Sequence, residues 1–440
     1  MTDIHTLVLR FKELLEQARA EQGQWISVTL PVAGIPVHSL PQIADERYFW
    51  ARPDREDYWL GLGSAWQCNA SGESHLLDLA DAAQTFCAEL RHIDPQGCAL
   101  APRFTLASER RQGRLNLPSV QFQQNQGLTR LTVTPDPQQP QLWPDLLERG
   151  LKALTTPGKP LPGPPQLTQL QQTPDATVWL SLADKAVNEL AHNRLSKLVL
   201  TRQVRLQAQR ELSTAHLIQT LLYQQSGCTI FALDREDGCW LGASPEILLD
   251  QQRDQVFSEA VAGTIRRDPW ESVDNKLGQW LLHDRKNQHE HQLVVDSLRE
   301  GLSPLCSQLE INPQPTLLKL RGLQHLYTPI RGTLKQAQHP LCIAQRLHPS
   351  PAICGYPRDD AQPWLDRHEP LDRRLFTGLT GWIDTAGDAA LNVVLRCACI
   401  RQNQVDLFAG AGLVADSNSL AEWEETELKL DNTAKALQEA

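Results

Sequence analysis

At 440 residues, with 41% hydrophobic and 21% charged side chains, the chain has room for one large globular domain or two ordinary ones. Its formal net charge of −10, with no long basic stretch to interrupt it, argues against nucleic acid or an anionic membrane surface as the main partner. No apolar run reaches the ~18 residues that a membrane span needs. The opening MTDIHTLVLRFKELLEQARA predicts an amphipathic helix rather than a signal peptide, with Ile4, Leu7, Val8, Phe11, Leu14, Leu15 and Ala18 on one face. Ten cysteines are present and none forms a C-x-x-C pair, which points to reduced, mostly buried thiols and a cytoplasmic setting. Cys397 and Cys399 alternate on a strand, as core thiols do, though the pair has the chemistry of a metal ligand.

Short alternating stretches at 58–66 and 129–135 read as strands, with a helix near 76–92 between them. The run Pro157-Gly-Lys-Pro-Leu-Pro-Gly-Pro-Pro165 predicts an exposed connector, because proline lacks the amide donor and glycine lacks stiffness. It separates an N-terminal α+β region, 1–165, from 166–440, either as two domains or as halves of one intertwined unit. Beyond it come a helix from Thr177 to Arg194, the strand SKLVLTRQVRL (196–206), and a hairpin over FALDREDGCWLGAS (231–244) turning at Asp237-Gly238. One long helix is expected from Glu271 to Gly301, and another closes the chain from Ser419. Strands in hairpin-like runs favour an α+β fold with large antiparallel β-sheets flanked by helices.

Several side chains break these patterns in ways that suggest chemistry. Lys197 heads an apolar strand, where it either snorkels to the rim or points into a pocket. In a pocket, burial would favour the neutral amine that a general base needs. Glu246, in Gly-Ala-Ser-Pro-Glu-Ile, is either a turn glutamate or a general acid kept protonated by apolar surroundings. Ala262-Gly263-Thr264 and Ala409-Gly410-Ala411-Gly412 offer bare backbone to a ligand, but neither is a nucleotide-binding loop. Glu290 shares a helical face with Leu293, Val294 and Leu298, and so needs a cation: Lys286, four residues back, or a metal. Glu422, Glu425 and Lys429 lie along the last helix. There Ser419–Glu422 fits a capping box and Glu425–Lys429 a surface pair, or the acids converge with Glu290 on magnesium. Arg396 interrupts LNVVL-CACI inside an expected strand and requires an anion, either a substrate carboxylate or an internal acid.

The ordered strings KLVLTR, LGASPE, EAVAGT, the Glu290-His291 helix, HPSPAICGYPR, LRCACI, FAGAGLVADS and EWEETELK resemble the chorismate-utilising enzymes over residues 178–437. LKLRGLQHL (318–326) and RHEPLDRRLFTGLTGW (367–382) look most like the menaquinone-pathway isochorismate synthases. The resemblance implies an anthranilate synthase component I-like fold and magnesium-dependent conversion of chorismate to isochorismate. Lys197 would activate water for attack at carbon 2, and Glu246 would help the carbon-4 hydroxyl depart. Glu290 and Glu425 would hold Mg2+, with Glu422 acting through water. Arg396 and the backbone at Gly410, Ala411 and Gly412 would grip the pyruvyl carboxylate. Gly263, Thr264 and Lys429 would make further carboxylate contacts, and His348 and Ala352 would lie near the ring. Alanine at 352, where amine-adding relatives carry threonine, favours water as nucleophile. Ser350 and Cys354 replace the usual threonine and glycine, and Asn287 stands where many relatives have an acid. The implied protein is a cytoplasmic monomer without a glutaminase subunit. Salicylate synthase, a siderophore-pathway isochorismate synthase, an amine-adding synthase component and a non-catalytic chorismate-binding protein are the alternatives.

Overall fold

The computed structural model describes residues 4–18, 25–33, 37, 47–97, 100–155, 163, 165–192 and 194–438. Of the proline-rich connector only Gly163 and Pro165 are among them; its remainder and Cys98 lie outside the described residues. The chain forms two large sheets of thirteen and ten strands. Among the described strands every pairing is antiparallel except Trp25–Val32 with Leu90–Ile93. Both sheets mix strands from either side of residue 165. Arg47–Arg52 pairs with Thr229–Arg235 in the larger sheet, and Arg103–Ser108 pairs with Leu379–Asp384 in the smaller.

Residue alternation along the strands sorts side chains into layers, because successive side chains of a strand point to opposite faces. Phe49 and Ala51, Ile230 and Ala232, Leu241 and Ala243, and Ala398 and Ile400 join the core beneath four helices: Ile4–Ala18, Trp143–Thr155, Thr214–Gln224 and Ser419–Gln438. Their strand neighbours Tyr48, Trp50, Phe231, Leu233, Trp240, Cys397 and Cys399 face the second sheet and meet Trp382 and Ala390 there. Helices His75–Glu89, Arg285–Leu302 and Pro340–Leu347 cover that sheet's far side. The result is four layers, helix–sheet–sheet–helix. Cys397 and Cys399 are core thiols, and all nine described cysteines are free.

The expected elements recur with shifted ends: the first helix is Ile4–Ala18, and the helix expected over 177–194 is Ala176–His192. The strand headed by Lys197 runs to Ala208, and the hairpin closes with Arg235 opposite Gly238. Two expectations are corrected. The long helix from Glu271 is two helices, Glu271–His283 and Arg285–Leu302, because Asp284 takes an extended conformation and its side chain caps the second through the Asn287 amide at 2.9 Å. Arg396 is not inside a strand. Ala389–Val393 belongs to the ten-stranded sheet and Cys397–Arg401 to the thirteen-stranded one, and Arg396, at φ 48, sits where the chain crosses between them. Pro245-Glu246 makes a second such crossing, between Gly238–Ser244 and Ile247–Gln252.

Candidate active site

The two crossings open onto one cavity between the sheets. Glu246, Gly263, Thr264, Glu290, Ala352, Arg396, Gly410, Gly412, Glu425 and Lys429 all line it. Larger clefts lie near Trp143 and near Arg235, but neither gathers buried acids and cations in this way. Four expected site residues do not reach the cavity wall. Lys197 and Glu422 stand directly behind it, and Ala411 turns away into the core around Trp179. His348 is buried elsewhere, near His75, its carbonyl accepting from Arg358 at 3.0 Å. Burial and those neighbours push its imidazole down to about 3.

At one corner, Lys197 is fully buried with Nζ 3.0 Å from Glu290 Oε1. The contact is within ion-pair distance, and Nζ makes no well-aligned hydrogen bond with any described residue. The strand pairing places Gly412 opposite Val199, two residues on from the lysine. A Cβ on Gly412 would stand 2.3 Å from Glu290 Oε1 and 2.8 Å from Lys197 Cε, so glycine is what lets this pair meet. Burial pushes the Glu290 carboxyl toward neutrality, but Lys197 and Lys286 outweigh it and hold it below the ordinary carboxylate range.

Lys286 does not pair with Glu290 as its i,i+4 spacing suggested; it bonds Glu422 across the helices. Nor does Ser419 form a capping box with Glu422. Asn418 caps the Ala421 amide, Ser419 bonds Asp184, and Glu422 accepts from Ser417 Oγ at 2.8 Å. The Glu425–Lys429 pair does form, at 2.7 Å, and Lys429 also donates to the Gly410 carbonyl. Burial, then Glu425 and also Glu290, lift Glu422 to about 7 against Lys286.

Among the described residues no three His, Cys, Asp or Glu side chains converge into a ready-made metal cage. Magnesium does not need one, since it takes one or two carboxylates and keeps several waters. Glu290 and Glu425 both line the cavity, and their charges crowd Glu422 behind them. That donor set suits a hard divalent cation.

Arg396 makes no ion pair with any described residue. The one hydrogen bond its guanidinium makes with them runs to His325 Nε2, at 3.0 Å. Arginine can only donate, so Nε2 accepts and the His325 proton sits on Nδ1, within 3.1 Å of Thr264 Oγ1 and 3.2 Å of the Gly263 carbonyl. Burial and the neighbouring Arg396 keep this imidazole neutral. Gly263 lies within a strand. It is a bulge inside Gln255–Arg266, at φ 75, where the register shifts between Ala262 and Thr264.

Glu246 is 3% exposed, and its carboxyl makes no hydrogen bond or ion pair with any described residue. Its backbone is fixed instead: Ser244 Oγ accepts from its amide at 3.3 Å, and Asn392 donates to its carbonyl at 3.3 Å. Burial, then the neighbouring Glu259, push this carboxyl up to about 8, against the pull of Lys197.

Sequence reading missed four contributors. His325 lies inside the quoted LKLRGLQHL, and Glu369 and Arg373 lie inside RHEPLDRRLFTGLTGW. Glu369 accepts from the Thr201 amide and hydroxyl, at 2.9 and 2.7 Å, and pairs with Arg373. Arg373 donates to the carbonyls of Ile353 and Val199, at 2.6 and 2.8 Å, fixing two stretches of cavity wall. Thr377, on the wall at φ 65, is a β-branched residue in left-handed backbone, a strain of roughly 1–3 kcal/mol.

The family described as "Chorismate binding enzyme" matches residues 12–438. Isochorismate synthase MenF of Escherichia coli (strain K12) is 33% identical over 329 residues, 74% of each chain. The salicylate biosynthesis isochorismate synthase of Pseudomonas aeruginosa is 39% identical over 259 residues, 59% of this chain. The chain spans about half the length of that relative, 54%. Among solved structures, the menaquinone-specific isochorismate synthase MenF of E. coli superposes with a TM-score of 0.80 at 26% identity, covering 99% of this chain and 100% of its own. Anthranilate synthase component I of Streptococcus pneumoniae TIGR4 shares the fold, with a TM-score of 0.68 at 16% identity over 86% of this chain and 92% of its own.

Proposed function

The chain belongs to the chorismate binding enzyme family, and from that membership we propose that it is an isochorismate synthase. The carrying observation is one cavity with a buried acid, Glu246, that has no side-chain partner among the described residues, at one crossing, and a buried amine, Lys197, behind Glu290. Lys197, acting in the neutral amine form that a base needs, takes a proton from water as the water oxygen bonds to carbon 2 of chorismate. The ring double bond shifts, the carbon–oxygen bond at carbon 4 breaks, and Glu246 gives its proton to the departing hydroxyl, which leaves as water. Arg396, oriented by His325, holds the pyruvyl carboxylate with the backbone of Gly410–Gly412, while Gly263, Thr264 and Lys429 serve the carboxylates further. Magnesium, which Glu290 and Glu425 would hold with Glu422 behind them, supplies positive charge for the ring carboxylate. Ala352 puts a methyl at its own place in the wall where amine-adding relatives carry a threonine hydroxyl, in keeping with water as nucleophile.

The whole-length likeness to the menaquinone-specific enzyme supports menaquinone synthesis as the destination. No helix among the described residues is long and apolar enough to cross a membrane. A cytoplasmic monomer without a glutaminase partner completes the proposal. Incubation with chorismate and magnesium, with and without ammonium, followed by chromatography, tests the reading. Isochorismate alone is expected. Salicylate with pyruvate, or an aminated product, overturns it.

A further inference from the structure

Behind Glu246 lies a second buried carboxyl that the reaction above leaves unused. Glu259 lies on the strand Gln255–Arg266, two residues before Val261 of the cavity wall, and is 7% exposed. Its Oε1 accepts from the amide of Ile247, the residue next to Glu246, at 2.9 Å. Tyr327, opposite Val261 on the neighbouring strand, adds a hydroxyl donor. Arg52 contributes a favourable field, although its guanidinium is already committed to Asp250 through two bonds of 2.5 and 2.7 Å. The other charged or titratable groups around these two carboxyls are Lys197, which faces Glu246, and Asp57, Arg55, Arg331 and Cys228.

The two carboxyls therefore differ in kind. Glu259 has a backbone amide, a phenol and a nearby guanidinium to stabilise a negative charge, whereas Glu246 has no hydrogen-bond donor at all among the described residues. Two buried carboxyls within each other's field do not both ionise readily, and the one with donors ionises first.

We infer that Glu259 is a positioning residue that, as the anion of this pair, keeps Glu246 loaded with the proton it must donate. The inference rests on the reading of Glu246 as the general acid. Burial, opposed by the Ile247 amide, Tyr327 and Arg52, brings Glu259 to about 7, just below Glu246.

The test is the pH profile of kcat/KM for isochorismate formation in wild type, Glu259→Gln, Glu259→Asp and Tyr327→Phe. Glu259→Gln removes the charge, so its alkaline limb should move to lower pH by about one unit while its activity near pH 6 stays close to wild type. Glu259→Asp restores the charge and should return the limb most of the way. Tyr327→Phe removes one donor from Glu259 and should shift the limb the same way by less. Loss of activity by the same factor at every pH in Glu259→Gln, with the wild-type limb kept in Tyr327→Phe, overturns the inference and leaves Glu259 a structural residue.

A second readout needs no substrate. The infrared band of the protonated Glu246 carboxyl, identified by its absence in Glu246→Gln, should vanish at lower pH in Glu259→Gln than in wild type; an unchanged midpoint overturns the inference. Wild-type protein that forms no isochorismate yet shows this infrared shift would sink the assigned activity and leave the carboxyl pair standing.

Discussion

Lys197 and Glu246 are both removed from water, and their surroundings treat them in opposite ways. The lysine has a carboxylate 3.0 Å away, while the glutamate has no partner among the described residues. Lys197→Ala and Glu246→Gln should each lower kcat by about 10²–10⁴-fold with the far-ultraviolet circular dichroism unchanged, the usual worth of general acid or base help. The pH dependence follows from Glu246. A carboxyl lifted from 4.5 to about 8 works only while protonated, so activity should hold between pH 6 and 7 and fall as pH rises through 8. The stability linked to this group has the same sign. Its folded value exceeds its unfolded value, so its contribution is complete below pH 4.5 and is lost as pH rises through 8, which urea titrations across that window would read. Lys197 and Arg396 were legible because each places a charge in an apolar run, Glu290 because it shares a helical face with apolar residues, and Glu246 because it follows a proline at a turn. Glu259 and His325 were not, because what marks them lies far away in sequence: Arg52 and Tyr327 for one, Arg396 for the other.

At the scale of elements, the site depends on corners and bare backbone. Gly412→Ala would press a methyl into the Lys197–Glu290 contact, and a shift of about 1 Å there should cost on the order of 10²-fold in kcat/KM. The thermal midpoint should change little beside that loss, and a variant with wild-type kinetics would contradict the packing described. Arg373 and Glu369 brace two strands of the wall. Arg373→Ala leaves a 2%-exposed carboxylate without its cation, a loss of roughly 3–5 kcal/mol measurable by denaturant unfolding. Local pattern carried most strands and helices, since alternation and helical periodicity are written in neighbouring residues. It failed where one polar residue redirects the chain. Asp284 splits an apparently continuous helix by capping its second part, and Arg396 splits an apparently continuous strand by entering left-handed backbone. Neither break alters the hydrophobic pattern that a reader of the sequence follows.

On the scale of the whole molecule, the prediction of large antiparallel sheets held, while the order of strands was invisible because pairing across 180 residues leaves no local trace. Each sheet is completed by strands from both sides of the proline-rich connector. Tyr48 bonds the Gly381 carbonyl at 2.8 Å, and Arg52 grips Asp250, so the early and late strands are also tied face to face. The halves are thus held by backbone ladders and buried ring contacts rather than by the peptide that joins them. A protease site engineered between Thr155 and Gly163 should yield, after cleavage, two polypeptides that separate on a denaturing gel yet co-elute as one particle and still turn over substrate. Expressed apart, each fragment would present raw sheet edges to solvent and should aggregate, whereas expressed together they should find each other and reconstitute the enzyme.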